Sequence, residues 1–196
     1  MTSDQFLPHE RPIPGAAASF GDRLATMLPR IETKRLALRA PRIGDFPVYW
    51  EICTRPDSDL LIDDPSREAA WLDFAQMVAT WILRGHGLWT VETREAPEIV
   101  GFTLLGFEPG DHEPELGYLC RAHVAGRGYA TEAARAVRDY GFETCDLPAL
   151  VSTIDKGNDR SARVAKRLGA HRDPAAEAAH GDTIFVYRYL RPEDAA

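Results

Sequence analysis

Residues 125 to 131 run Ala125-Gly126-Arg127-Gly128-Tyr129-Ala130-Thr131. Glu115 to Arg121, before them, has the pattern of a strand, and Glu132 to Glu143, after them, that of a helix. A glycine-rich turn between a strand and a helix start presents backbone N–H groups that no intrahelical carbonyl accepts. Together with the positive end of the helix dipole they make an anion site suited to phosphate. Gly126 and Gly128 let the backbone approach a ligand, and Thr131 adds a hydroxyl in the first turn. The plain alternative is a tight turn with a helix cap, which a Gly-x-Gly by itself does not exclude. Two other nucleotide sites fit poorly. A Walker loop ends in Gly-Lys-Ser/Thr, and no lysine stands here. A Rossmann fingerprint needs a third Gly or Ala and an acid about twenty residues on, after a second strand. Position 131 is Thr, and Asp146 precedes the next strand.

On the N-terminal side of this turn, Leu88-Trp-Thr-Val-Glu-Thr-Arg94 alternates apolar and polar residues, Glu95 to Glu98 makes a turn, and Ile99 to Phe107 is a second run, so the two form a hairpin. Pro109-Gly110-Asp111 is a further turn. Thr33 to Arg39 alternates as a half-buried strand ended by Pro41. Gly44-Asp45 opens a helix to Cys53, with Phe46, Tyr49, Trp50 and Cys53 at helical spacing. Asp57 to Pro65 is an Asp-rich loop, after which Ser66 caps a helix carrying Phe74, Met77, Val78, Trp81 and Ile82 as far as Gly85. Beyond the turn, Ala130, Ala133, Ala134, Val137 and Tyr140 form one stripe expected to face the sheet, and Leu150 to Asp155 is a short strand. Asn158 caps a helix that Gly169 stops, and Thr183 to Leu190 is a final strand. Residues 1–30, broken by Pro8, Pro12, Pro14 and Gly15, form an N-terminal arm, either disordered or carrying a short helix from Phe20 to Leu28, or else packed on the body or a second subunit through Phe6, Leu7, Phe20, Leu24 and Leu28. Residues 31–196 form one mixed α/β domain whose last helices cross over the sheet.

Composition narrows the class. The length of 196 residues suits one domain with an arm, and 44% hydrophobic residues supply a core. Acidic residues number 30 against 23 basic ones, a formal charge of -7, which argues mildly against nucleic acid and for a cationic substrate. Cys53, Cys120 and Cys145 are too scattered for a disulfide framework or a zinc knuckle and read as reduced thiols. The six histidines form no cluster, so no metal is expected. No run approaches the ~20 apolar residues of a membrane span. The first residues do not form a signal peptide, and a cytoplasmic location is expected.

Five motifs in this order resemble the GNAT superfamily of acyl-CoA N-acyltransferases, in particular the subgroup of ribosomal-protein N-terminal acetyltransferases. They are Glu32 to Arg39 with Gly44-Asp45; Gly87 to Val91 with Ile99-Val-Gly101; Glu115-Leu-Gly-Tyr118; Gly126 to Ala133; and Asn158 to Ser161 with Lys166 to Gly169. The resemblance covers residues 31 to 191. It implies a mixed, mostly antiparallel sheet of about six or seven strands splayed in the middle and flanked by about four helices. Three positions depart from the pattern: Ala125 begins the loop where the family usually has Gln or Arg, Ala170 follows Gly169 where it often has Phe, and Ala165 stands where many relatives carry a Tyr that protonates the thiolate.

The resemblance implies transfer of an acetyl group from acetyl-CoA, the acyl donor, to a primary amine of a protein N-terminus or a small molecule, by direct attack in a ternary complex. Gly126, Arg127, Gly128, Tyr129, Ala130 and Thr131 are expected to hold the pyrophosphate. The pantetheine arm is expected in a gap between Leu119-Cys120-Arg121 and the strand at Leu150 to Ile154, adding like a strand to an edge. A backbone N–H near Leu119 or Cys120 would polarise the thioester carbonyl. Asn158 is either a plain helix cap, a contact to the pantetheine amide, or both. An ammonium must lose its proton before attack, and Glu115 is the expected base. Its other reading is a solvated strand-edge carboxylate. Ser161 is expected to donate to the thiolate, or else to make a local backbone bond. Tyr118 and Trp89 read as core, and Asp111 and His112 border the acceptor mouth. Cys120 reads as a buried small residue and not as an acyl carrier. The rival readings are a non-catalytic acyl-CoA-binding module and a generic phosphate-binding α/β protein. The expected partners are acetyl-CoA and the amine, with no nucleic acid and no membrane, in a monomer or homodimer.

Overall fold

Short apolar alternations and well-capped helices follow one another along the chain. The computed structural model of the protein describes residues 7–55 and 66–191; Phe6 and the Asp-rich loop expected over residues 57–65 lie outside them. In chain order the elements are α1 (Ala16–Met27), β1 (Ile31–Glu32), β2 (Leu36–Arg39), α2 (Phe46–Cys53), α3 (Arg67–Arg84), β3 (Leu88–Thr93), β4 (Ile99–Gly106), β5 (Glu115–Cys120), α4 (Tyr129–Glu143), β6 (Leu150–Asp155), α5 (Asp159–Arg167), β7 (His171–Arg172), α6 (Pro174–Glu177) and β8 (Ile184–Tyr189). Local chemistry sets the helix ends. The Ser66 hydroxyl accepts from the Ala69 N–H at 3.0 Å, and α3 stops at Gly85, whose φ of 77° is left-handed. Asn158 caps α5 by accepting from the Ser161 N–H at 3.0 Å. At the other end Gly169 donates to Lys166 O and Ala170 to Ala165 O, a Schellman motif.

The strands form one sheet in the order β1-β2-β3-β4-β5-β6-β8-β7. Every neighbouring pair is antiparallel except β5 and β6. Among the described residues the sheet has eight strands and the chain six α-helices. The expected fold class therefore holds, with a few more elements than the sequence suggested. β1 and β7 have two residues each, too short to show alternation. The expected strand from Thr33 to Arg39 is broken at its start. Glu132 of α4 takes the Thr33 hydroxyl at 2.6 Å and the Arg35 N–H at 2.8 Å, and this pins a turn between β1 and β2.

Two apolar layers cover the two faces of the sheet. On one face α4 and α5 bury Val137, Ala134, Ala165 and Leu168 against Leu36, Leu38, Leu105, Leu116, Leu150 and Tyr189. On the other face α2 and α3 bury Phe46, Tyr49, Phe74 and Met77 against Leu88, Phe102 and Leu104. Full burial of such a side chain is worth ~1.5–3 kcal/mol, so both helix layers are firmly seated. Upstream of the sheet, Glu10 is buried and its carboxylate takes both Nε and Nη2 of Arg67 at 2.5 and 2.6 Å. No residue of α1 is buried. No helix of the described residues is long and apolar enough to cross a membrane.

The site comes from the one parallel pairing. β5 and β6 are in register only at Glu115 and Val151. There Val151 N donates to Pro114 O at 3.1 Å, and the Ser152 hydroxyl donates to Leu116 O at 2.6 Å. Beyond that point the strands diverge and open a wedge in the middle of the sheet.

Candidate active site

At one end of the wedge lies the glycine loop. Gly126 and Gly128 both have φ 79°, a left-handed conformation that a side chain disfavours. Gly128 is the residue before α4, so the N–H groups of Tyr129, Ala130 and Thr131 belong to the first turn and have no intrahelical acceptor. Arg35 locks the loop from outside. Its Nη1 donates to Arg127 O at 2.9 Å, its Nε pairs with Glu132 at 2.6 Å, and its guanidinium lies 4.6 Å from the Tyr129 ring centre. The loop borders a cleft of ≈ 340 Å³ that is also lined by Leu119 and Cys120 of β5, by Arg121 just after it, and by α5.

A second cavity of ≈ 250 Å³ lies in the wedge itself. It shares Tyr118, Leu119 and Ser161 with the first, so the two meet at those residues. Peptide groups alternate along a strand. Arg121 N donates to Val100 O at 3.0 Å, which turns the odd-numbered peptide groups of β5 toward β4. Leu116 O faces β6, since it accepts from Ser152. The groups of Tyr118 and Cys120 therefore face the wedge. Arg55 Nη1 holds Cys120 O at 3.0 Å. Ser161 is buried, and its hydroxyl has no hydrogen-bond partner among the described residues. The Tyr118 hydroxyl donates to Ser161 O at 2.8 Å.

Carboxyl groups line the wedge. Glu115 Oε1 accepts from Thr153 N at 2.8 Å and from the Thr153 hydroxyl at 2.5 Å, so it satisfies a β6 donor that the divergence has left without a strand partner. Burial raises the Glu115 carboxyl above its ordinary range, against the lowering effect of the two Thr153 donors. Glu108, in the turn after β4, is pushed up to about 7 by burial and then by the charges of Asp73, Asp111 and Glu115. Asp73 of α3 receives the Tyr49 hydroxyl, and burial raises its carboxyl too. A third cavity of ≈ 330 Å³ continues past Glu115 and Thr153 toward α6 and includes Asp111 and His112.

The structure thus brings most of the sequence-predicted residues to one place. Leu119, Cys120, Arg121, Gly126, Gly128, Tyr129, Ala130, Thr131 and Ser161 line the cleft. Glu115, Asn158 and Ser161 line the wedge cavity. Arg127 is not part of the cleft lining, and its N–H is committed to Val124 O at 3.2 Å. Tyr118, read as core, is instead the half-buried wall between the cavities. The sequence reading passed over Glu108, and also Arg55, Arg160, Arg163 and Arg167 of the cleft. The last three repeat at steps of three and four, a cationic stripe on one helix face that the spacing alone could have disclosed. Ala165 is fully buried on α5.

Known proteins are similar to this chain in sequence and fold. A profile of the acetyltransferase (GNAT) domain matches residues 35–171. A Bacillus subtilis (strain 168) protein, YkkB, is 38% identical over 153 residues, covering 72% of this chain and 85% of its own. The crystal structure of an acetyltransferase from Agrobacterium tumefaciens superposes with a TM-score of 0.76 at 38% identity, over 84% of this chain and 95% of that one. RimL, a ribosomal alpha-N-protein acetyltransferase solved in complex with coenzyme A, shares the fold with a TM-score of 0.64 at 19% identity, over 83% and 98% of the two chains.

Proposed function

Because the chain belongs to the GNAT acetyltransferase family, we propose that it moves the acetyl group of acetyl-CoA to a primary amine, a protein N-terminus or a small-molecule amine, by direct attack in a ternary complex. The observation that carries this reading is the meeting of two cavities at Tyr118, Leu119 and Ser161. One has an anion-binding helix start and the other a set of carboxyl groups.

The diphosphate of the donor sits over the N–H groups of Gly128 to Thr131, where the helix dipole favours negative charge. Arg160, Arg163 and Arg167 of α5 supply further cationic contacts along the same cleft. The pantetheine arm runs along the open edge of β5, pairing with the peptide groups of Tyr118 and Cys120 as an added strand would. That RimL, of the same fold, is solved in complex with coenzyme A supports coenzyme A as a ligand of this fold. The Cys120 N–H polarises the thioester carbonyl, and one such donor is worth ~3 kcal/mol in the transition state. The uncommitted Ser161 hydroxyl, at the junction of the cavities, hydrogen-bonds the departing thiolate. The amine arrives through the acidic wedge, where Glu108 and Glu115 attract an ammonium and exclude anionic competitors.

Thiol release from acetyl-CoA, measured with and without a panel of primary amines, tests the reading. Amine-dependent release supports acetyl transfer. CoA binding without release under any amine supports the non-catalytic acyl-CoA-binding module instead.

A further inference from the structure

We infer that Glu108 is the group that takes the proton from the acceptor ammonium and that Glu115 is a positioning residue beside it, an assignment that rests on acetyl transfer being the reaction. The argument begins with the turn that carries Glu108. β4 ends at Gly106, and the Arg84 guanidinium lies 4.3 Å from the ring centre of the next residue, Phe107. The Glu108 N–H then donates to Asp111 Oδ2 at 2.6 Å, and the Asp111 N–H returns to Glu108 O at 3.0 Å. This closed turn holds Glu108 in the wall of the wedge cavity that also carries Ser161 and the β5 edge.

The two glutamates differ in what their carboxylates already do. Glu115 accepts two hydrogen bonds from Thr153 on one oxygen, at the point where the sheet opens. Its protonation would weaken the one acceptor that the Thr153 N–H has there among the described residues. The Glu108 carboxylate has no hydrogen-bond or ion-pair partner among the described residues. It is half-buried, free to receive a proton, and reachable from the cavity.

The groups that face it are all acidic. Asp73 comes from α3 and is held by the Tyr49 hydroxyl of α2, Asp111 comes from its own turn, and Glu115 comes from β5. Each favours the protonated form of Glu108, and burial adds to them, so the carboxyl titrates at about 7. A base poised near the working pH accepts a proton readily and gives it up again between turnovers.

The step balances. The ammonium passes one proton to the Glu108 carboxylate and becomes a neutral amine. The amine lone pair forms the C–N bond at the thioester carbon, the C–S bond breaks, and the electron pair leaves on the CoA thiolate. The N–H proton shed as the amide forms goes to the thiolate, and Glu108 releases its own proton to water. The sum is ammonium plus acetyl-CoA giving amide, CoA thiol and one proton.

The test uses the full-length protein, the best amine found in a panel of tyramine, putrescine and a tripeptide with a free N-terminus, and the pH dependence of kcat/KM for thiol release. CoA affinity is measured in parallel. Glu108→Gln is expected to lower kcat/KM at pH 7 by ~10²-fold. It should also remove the limb near pH 7, leaving a rate that climbs only with the free amine, and leave CoA affinity unchanged. Glu115→Gln is expected to keep the limb, shifted to lower pH by the loss of a neighbouring charge. A Glu108→Gln enzyme whose profile superposes on the wild type, or a Glu115→Gln enzyme that alone loses the limb, overturns the assignment. A wild-type protein that binds CoA but releases no thiol with any amine overturns acetyl transfer itself, and this is a separate outcome.

Discussion

Replacing Gly101 of β4 by alanine drives a methyl group against β5, the strand that carries the reaction. An added Cβ at Gly101 lies 2.0 Å from Leu119 O and 3.0 Å from Cys120 Cα. The obstacle is the backbone of β5, which cannot swing aside as a side chain tip can. Relief requires the two strands to part by about 1 Å, and a misplacement of that size at reacting groups costs up to about 10²-fold in rate. Overpacking of this kind also destabilises by ~1–3 kcal/mol. At about 2–4 °C per kcal/mol for a chain of this size, the melting temperature falls accordingly. Gly106→Ala on the same strand is the control, since its added Cβ meets a movable Leu104 methyl at 2.8 Å. Thermal melting with amine-dependent thiol release reads both effects. A Gly101→Ala protein with wild-type melting and turnover would refute the claim that the β5 backbone at Leu119 and Cys120 is placed for catalysis by close contact with β4.

Other perturbations follow from the same geometry. Gly128→Val forces a β-branched residue to φ 79° at the start of α4 and is expected to abolish the CoA-dependent rise in melting temperature, read by a thermal shift with saturating CoA. A raised carboxyl favours the folded state below the unfolded value and loses that contribution as pH rises, so Glu108, shifted from 4.5 to about 7, disfavours folding increasingly across that window. Glu108→Gln should therefore melt higher relative to the wild type at pH 8 than at pH 5, and an identical difference at both would count against the shift. Arg67→Ala strands the buried Glu10 carboxylate, at a cost of ~1–3 kcal/mol or more, and should make residues 7–10 sensitive to limited proteolysis; an unchanged digestion pattern would show that this pair does not hold the segment.

The parts of the site that were legible in the sequence are those set by local chemistry. The loop from Gly126 to Thr131 announces itself because two glycines sit directly before a helical stripe, and Asn158, Ser66 and Gly169 mark helix ends by the same kind of short-range rule. The wedge is not local. It depends on β5 and β6 meeting only at Glu115 and Val151, and no spacing in either strand records where a parallel pair parts. Glu108 borders the turn at Pro109 and Gly110, and nothing in that local spacing marks it. Its character comes from Asp73, thirty-five positions earlier, and from α3 covering it. Tyr118 looked like core because its neighbours are apolar, yet it stands where the covering layer stops. The break between β1 and β2 arises from Glu132, nearly a hundred residues away.

The measurement that bears most directly on the central claim is acetyl-CoA turnover followed by mass spectrometry of the acceptor. With wild-type protein, acetyl-CoA and the amine panel, the account predicts equal amounts of free CoA thiol and N-acetylated amine, both lost in Gly128→Val. Thiol release with no acetylated amine, or no release while CoA still binds, would contradict it.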